Sequence, residues 1–328
     1  MSSKKFSTIG WQGINLTVPS GWNLTEVSGN YQAGYLKISD LKNVRCEIKW
    51  EETKSVPNLK SLLKNYFNKM KKVARKQNLK IKIEEDIKSL NETMSVGNRA
   101  FLTFAWEART KAVGFIGYCP ICRRVLIMQV LSPQGETEKS MIYSIFSSLK
   151  DHSEDNLNLW SLHGLEVKIP QDYYLRKSIL QSGLVQLDFQ NKKNKLVVRR
   201  YALANVVLKG KTLEEWFTKN FLRVFREYET KEKEVKIKGH PGWKVEGKLS
   251  PGVRALWGQV RLAFGLLGDR VYPGRLPSSL VPSKLSNGVY LALLWHCPDS
   301  NRICMLENQA EEEVDPRIGE IIEGWKCH

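Results

Sequence analysis

The sequence repeats its own pattern after about 150 residues. Gly13-Ile-Asn-Leu-Thr-Val-Pro19 returns as Gly164-Leu-Glu-Val-Lys-Ile-Pro170, and the helix-like run 59–67 returns as 213–221. Solenoid repeats are much shorter, about 20 to 50 residues, so a period of this length indicates a duplicated domain. We therefore expect two tandem domains, at 1–155 and 156–328, each of ordinary domain size.

The offset between matching segments grows near the end of the second copy. Tyr118-Cys-Pro120 matches His296-Cys-Pro298, which lies farther away than the earlier pairs predict. An extra segment at about 249–287 accounts for the difference. Long insertions in compact domains are often functional.

Each copy is predicted to be an α+β unit in which helices pack on an antiparallel sheet. Consecutive strands joined by short turns favour an antiparallel meander. The predicted order in copy one is β-β-β-α-β-β-β-β-α, an α/β/α-like sandwich. Its strands are expected at 14–18, 35–39, 45–50, 80–84, 99–106, 114–119 and 125–131, with helices after Pro57 and over 136–149.

The helix after Pro57 is the best-marked element. Its apolar residues recur at the spacing of one helical face, which predicts packing on a sheet. That stripe consists of Leu59, Leu62, Leu63, Tyr66, Phe67, Met70, Val73 and Ala74. In copy two, Thr212 and Glu215 predict a capping box at the matching helix.

The order of elements resembles the PsbP-like fold, which the Ran-binding nuclear transport factor shares. The resemblance rests on the entry from Gly13 to Pro19 with Trp22 after it, the long helix after three strands, and the Cys-Pro hairpin before the last helix. It covers nearly the whole chain as two copies. It implies a binding module, not an enzyme, and no residue roles are carried over.

Charge suggests a polyanionic partner. The formal net charge is +17, and 42% of the residues are hydrophobic, as expected of a folded protein. The basic excess extends over both copies. It would attract nucleic acid, ribosomes or an anionic membrane surface, although a general basic bias is an alternative explanation.

The basic stretch 54–82 holds ten cations and no acid. A solvated helix usually mixes signs, because like charges one turn apart are destabilising. We therefore predict phosphate contacts here, unless acidic neighbours come from elsewhere in the fold. The predicted nucleic-acid-binding residues on this helix are Lys60, Lys64, Lys71, Lys72, Arg75 and Lys76.

The insertion is the second candidate surface. Its apolar spacing predicts a helix at 252–268 with Trp257 and Phe264 as partner-binding residues. This helix either docks on the other repeat or contacts a partner. The cations expected to join the nucleic-acid surface are Arg254, Arg261, Arg270, Arg275 and Lys284.

No catalytic constellation, cofactor or metal site is predicted. Cys119-Pro-Ile-Cys122 has the spacing of a zinc knuckle or a redox pair, whereas copy two offers Cys297, Cys304 and His296 at a different spacing. A zinc site shared by the copies would need ligands from different domains. We therefore expect Cys119 and Cys297 to be buried beside hairpin turns, and the protein to be free of stoichiometric metal.

The sequence thus favours a non-enzymatic protein that binds structured RNA or the ribosome. The alternative is a protein-interaction adaptor, in one version at a membrane surface, that uses the 252–268 helix. An enzyme with a cleft between the repeats comes third. No secretory signal or apolar span is recognised, so we expect a cytoplasmic protein.

Overall fold

The computed structural model describes residues 6–91, 100–133, 139–250 and 288–327. Strands account for 51% and helices for 20% of these residues. The prediction of an α+β sandwich is therefore wrong: the protein is mainly antiparallel β, in one four-stranded and two seven-stranded sheets. The chain divides into two compact units, residues 1–163 with 168–170, and residues 164–167 with 171–328.

The first unit begins with the hairpin of β1 (Phe6–Trp11) and β2 (Ile14–Pro19) and continues into a seven-stranded sheet. This sheet runs β3-β4-β5-β9-β8-β7-β6, with every neighbouring pair antiparallel. Its strands are β3 (Asn23–Gly29), β4 (Ala33–Ser39), β5 (Val44–Glu52), β6 (Lys82–Glu85), β7 (Ala100–Glu107), β8 (Lys111–Tyr118) and β9 (Arg124–Ser132). Its helices are α1 (Leu59–Lys76), α2 (Lys88–Asn91) and α3 (Lys139–Ser147).

The strands β1 and β3 are absent from the sequence prediction. β3 is an edge strand that pairs only with β4 and carries a bulge between Leu24 and Glu26. Leu24 is its one buried residue. An edge strand with one buried side chain lacks the apolar alternation by which strands are recognised.

The helix α1 begins where the sequence predicts and packs on the sheet through a narrow part of its apolar stripe. The Asn58 side chain accepts a hydrogen bond from the Ser61 amide at 3.0 Å and caps the helix. Leu63 and Phe67 are buried against Phe104 and Ile116 of the sheet. The Phe67 and Phe104 rings meet edge to face with centroids 5.5 Å apart.

Two further strands, β10 (Leu157–Leu162) and β11 (Leu165–Pro170), complete the four-stranded sheet β11-β10-β1-β2. Both of its hairpins turn through two residues with positive φ. These are Gln12 and Gly13 at 53° and 80°, and His163 and Gly164 at 46° and 77°. Such turns match the twist of the flanking strands, and glycine adopts them without steric cost.

The second unit contains the other seven-stranded sheet, in the order β12-β13-β14-β18-β17-β16-β15. Its strands are β12 (Tyr174–Leu180), β13 (Leu184–Gln190), β14 (Asn194–Ala202), β15 (Tyr228–Ile237), β16 (His240–Leu249), β17 (Val289–Cys297) and β18 (Arg302–Ala310). Position for position, this is the strand order of the first unit. The duplication itself and the PsbP-like resemblance remain hypotheses about origin.

The helical crossover of the second unit is broken into short pieces. It consists of α4 (Ala204–Leu208), α5 (Leu213–Asn220) and α6 (Leu222–Glu227), and α7 (Ile318–Glu323) follows β18. The predicted capping box is present: the Glu215 amide donates to Thr212 Oγ1, and the Thr212 amide to Glu215 Oε2. The single long helix of copy one is therefore not reproduced here.

The predicted insertion leaves and rejoins the sheet at neighbouring points, because the Leu249 amide donates to the Gly288 carbonyl oxygen at 2.8 Å. Residues 251–287 lie outside the described part of the chain. The predicted helix 252–268 and its candidate residues Trp257, Phe264, Arg254, Arg261, Arg270, Arg275 and Lys284 lie there too. Within the described ranges, no helix is long and apolar enough to cross a membrane.

We predict that Phe67→Ala lowers the free energy of unfolding by about 3–5 kcal/mol, because it leaves a cavity between α1 and the sheet. Urea unfolding followed by circular dichroism measures this. The control Lys72→Ala changes an exposed residue of the same helix and should stay within about 0.5 kcal/mol. Equal effects of the two changes would show that α1 does not depend on this contact.

Candidate functional site

A cavity of about 830 Å³ opens in the first unit beside α1. We call it the α1 groove. The helix lines it with Leu62, Tyr66, Met70, Val73 and other residues, and strands β7 to β9 line it with Trp106, Ile116, Val125 and Ile127. Most of these side chains are apolar, so the groove offers a hydrophobic surface.

The groove exists because the apolar stripe of α1 is wider than the face that packs on the sheet. Leu63, Phe67 and Ala74 are buried, whereas Leu62 is 37% and Val73 54% exposed. All five belong to the stripe that the sequence predicts to be packed. Exposed apolar side chains that share one concave surface are typical of a binding site.

Three cations are among the residues that line the groove. Lys49, Lys69 and Arg109 line it, and Glu51 is the acidic residue among its lining side chains. None of the three cations is in the sequence-predicted site. Lys69 belongs to the basic stretch, but its position toward the groove depends on how α1 sits on the sheet, which spacing alone does not reveal.

The predicted phosphate-binding residues of α1 are all exposed. The whole helix carries seven cations and no acid. Among the ion pairs of the described residues, none involves one of these seven side chains. The alternative that acidic neighbours from elsewhere in the fold neutralise this face therefore finds no support in the described ranges. These cations are, by sequence position, Lys60, Lys64, Lys69, Lys71, Lys72, Arg75 and Lys76.

A network of hydrogen bonds connects α1 to the sheet beside the groove. Gln129, which is mostly buried, accepts hydrogen bonds at Oε1 from Tyr66 Oη (3.0 Å) and Trp106 Nε1 (2.9 Å). Its Nε2 donates to Glu47 Oε2 at 2.7 Å, and Tyr35 Oη donates to Glu47 Oε1 at 3.0 Å. Burial, with the Glu47 carboxylate adding to it, raises the pKa of Tyr66 to about 12. The phenol therefore stays protonated and holds the helix to the sheet as a donor.

The helical crossover of the second unit carries a cluster of aromatic rings. Phe221, at the break between α5 and α6, stacks on Phe217 with centroids 4.7 Å apart, and Phe225 packs edge to face on the same ring. Trp243 packs against this cluster from the sheet. A separate cavity of about 570 Å³ is lined by Leu213, Glu214, Glu234, Lys236 and other residues, a mixture of both charge signs. A mainly apolar groove with cations in its lining is thus described only for the first unit.

Among the described residues, two clusters of possible metal ligands share no residue with the lining of the groove. Cys119, Cys122, Asp151 and His152 place their ligand atoms within 4.8 Å of one another, as do His240, Cys297 and Cys327. Burial raises the pKa of the Cys122 thiol to about 11; the Asp151 carboxylate adds to this, and Arg124 opposes it. The sequence singled out the two cysteines of the first cluster but neither Asp151 nor His152.

Comparison with known proteins gives weak likenesses. No family model matches the chain, and no curated protein matches it. The solved structures that it resembles include immunity protein TplEi of T6SS from Pseudomonas aeruginosa, at 10% identity and a TM-score of 0.33. The same protein complexed with "L" peptide gives 10% and 0.32, and both matches cover 96% of this chain and 90% of the other. The Tle4-Tli4 complex gives 11% and 0.31, covering 97% and 90%.

TM-scores near 0.3 establish neither a shared fold nor a shared function. Two of these structures are of an immunity protein, one of them with a peptide, the third is the Tle4-Tli4 complex, and none of the three names mentions RNA or a ribosome. The expectation of an RNA-binding, ribosome-associated protein is corrected accordingly. The structure adds a physical reason, because the basic helix also exposes Leu62 and Val73, apolar side chains that phosphate contacts would leave unused.

We predict that Gln129→Met lowers the free energy of unfolding by about 1–3 kcal/mol, because Tyr66 and Trp106 lose their buried acceptor. Urea unfolding tests this. Gln32→Met makes the same exchange at an exposed residue and should be nearly neutral. If both variants unfold alike, the network does not stabilise the groove.

Proposed function

We propose that the protein is a non-enzymatic binding module whose α1 groove binds an extended or helical segment of a partner protein. The proposed segment carries apolar side chains that enter the groove and acidic side chains beside them. The single observation that carries this proposal is a mainly apolar cavity of about 830 Å³ whose lining includes Lys49, Lys69 and Arg109. Recognition of a helix or strand in a groove is a recurring mode of protein binding.

The exposed apolar side chains supply the affinity. Covering Leu62 and Val73 would remove from water the 37% and 54% of these side chains that are exposed. Each therefore contributes that share of the about 1.5–3 kcal/mol that full burial of an aliphatic side chain gives. Met70 lies between them on the groove side of the helix and adapts its shape easily. These gains must exceed the entropy lost on association, so a partner has to fill most of the groove.

The cations determine which segment is accepted. A helix with seven cations and no acid attracts an acidic partner over long range and repels a basic one. Charge at the edge of an interface mainly raises the association rate and sets the salt dependence. The preference for acidic segments results from the positive electrostatic field of the basic residues. The same field led us to expect a polyanionic partner from the sequence.

Three further expectations from the sequence remain proposals: a partner contact by the insertion, a membrane partner and a cytoplasmic location. Trp257 and Phe264, outside the described residues, would provide a second contact to the partner from the segment 252–268. A membrane surface is the less favoured partner. A cytoplasmic location is likewise an expectation.

A photo-crosslinking experiment tests the groove directly. A photoreactive phenylalanine analogue replaces Val73 in the full chain, and the same analogue replaces Leu41, a fully exposed residue of the β4–β5 turn. In cells, we expect the Val73 position to crosslink to one defined protein and the Leu41 position to give no such product. The purified partner should then bind the wild-type protein in solution.

We predict that Val73→Asp weakens binding of that purified partner at least tenfold, because a buried carboxylate opposes both the apolar contact and the acidic segment. Lys69→Glu should weaken binding less and reduce its salt dependence. Leu41→Asp and Lys42→Glu are matched controls on an exposed turn and should bind as wild type. Isothermal titration calorimetry at two salt concentrations measures all four.

Unchanged affinity in Val73→Asp and Lys69→Glu would show that the groove is not the binding surface. Crosslinking of Val73 to RNA instead of protein would contradict the proposed class of partner. Loss of binding only on deletion of residues 252–286 would place the contact in the insertion.

A further inference from the structure

The hairpin between β8 and β9 carries two thiols on a tight turn. The Cys119 amide donates to the Arg124 carbonyl oxygen at 3.0 Å, and Arg123 has a positive φ of 55°. The turn therefore brings Cys119 and Cys122 to the same end of the sheet. Cys119 is buried and Cys122 half-buried. A Cys-x-x-Cys pair on a hairpin is a common half of a structural zinc site.

The chain that follows α3 delivers two further ligands to this hairpin. Lys150 pairs with Asn15 of β2 through two backbone hydrogen bonds of 2.7 and 2.8 Å, which fixes the backbone just before Asp151 and His152. Asp151 is 1% exposed, and His152 Nδ1 lies 2.7 Å from its Oδ1. The same nitrogen lies 3.6 Å from Cys119 Sγ.

We propose that Cys119, Cys122, Asp151 and His152 form a structural zinc site within the first unit. Their four ligand atoms lie within 4.8 Å of one another. Zinc binds thiolate at about 2.3 Å and imidazole at about 2.0 Å in a tetrahedron, which places sulfur and nitrogen about 3.5 Å apart. The separation of 3.6 Å between Cys119 Sγ and His152 Nδ1 matches that geometry. The hydrogen bond of 2.7 Å between His152 Nδ1 and Asp151 Oδ1 would lengthen to about 3.3 Å when both atoms bind one zinc ion.

The charges at the cluster balance around a divalent ion. Two thiolates and one carboxylate contribute three negative charges, which a dry environment does not tolerate without cations. Arg124 is fully buried beside the hairpin; its Nη1 donates to the carbonyl oxygens of Gln12 and Tyr31, at 2.9 and 3.1 Å. One zinc ion and this guanidinium together make the site neutral. The ligand set of two sulfurs, one nitrogen and one oxygen suits zinc better than calcium or magnesium.

The second unit provides an internal comparison. Cys297 occupies the position of Cys119 and Cys327 that of Asp151, while Ser300 stands where the first unit has Cys122. His240 joins them, with its Nε2 3.4 Å from Cys327 Sγ. This second cluster has three candidate ligands among the described residues, against four in the first.

This proposal departs from the expectation of a metal-free protein. That expectation assumed that the missing ligands would have to come from the other copy. The fold supplies them from within the same unit, because the end of α3 returns to β2 beside the hairpin.

Metal content and cobalt spectra test the proposal. The full chain carrying Cys327→Ala, which disables the second cluster, is purified without chelator and analysed for metals. We expect one zinc ion per chain. Exchange with Co²⁺ should produce the visible bands of a tetrahedral ion and the ultraviolet charge-transfer band of thiolate ligands. Both should disappear in Cys122→Ser and His152→Ala, and persist in Cys46→Ala, which changes a buried thiol outside both clusters.

Zinc X-ray absorption on the unmutated protein keeps the test valid if a ligand variant fails to fold. Sulfur and nitrogen or oxygen scatterers at zinc-ligand distances support the site. The proposal is overturned if the Cys327→Ala chain retains no zinc, if the bound zinc has no sulfur neighbours, or if Cys122→Ser retains a full complement of metal.

Discussion

The packing of α1 on its sheet is the contact on which the proposed function depends. Phe67 anchors the helix against Phe104 and Ile116, and Gln129 ties Tyr66 to Trp106 from below. These contacts hold the helix by one edge of its apolar stripe. The other edge, with Leu62 and Val73, is left facing the groove. The same packing therefore stabilises the unit and creates its hydrophobic surface.

The two units show how a small change in the crossover alters this surface. In the first unit, α1 is continuous over 18 residues and forms one side of the groove. In the second unit, the helical crossover is interrupted at Phe221. The aromatic rings of this crossover pack against one another and against the sheet. These rings add to the buried core of the second unit. Two sheets of the same strand order thus carry different crossovers, and we assign binding to the first unit.

Part of this arrangement could be predicted from the sequence. The helix α1 was predictable because the apolar spacing after Pro57 is a local signal. The edge strand β3 was not, because only Leu24 is buried in it. The predominance of strand was also missed, since the crossover of copy two was expected to be one helix and the strands β1 and β3 went unrecognised. Membership of Leu62 and Val73 in the stripe was visible, but whether the sheet reaches them depends on the angle of the helix.

The metal-ligand cluster was hidden for a different reason. Cys119 and Cys122 are close in sequence, whereas Asp151 and His152 join them only through the path of the chain after α3. A signal does exist in the repeat, because Lys150-Asp-His152 matches Lys326-Cys-His328. One copy has aspartate where the other has cysteine, and histidine follows in both. All three residue types can bind zinc, so this exchange is compatible with a metal site.

Hydrogen exchange of the full chain with and without its crosslinked and purified partner tests the central claim most directly. The account predicts slower amide exchange on binding along α1 and in β7 to β9, with little change in the strands of the second unit. Protection confined to the second unit, or none along α1, would contradict the assignment of the groove as the binding surface.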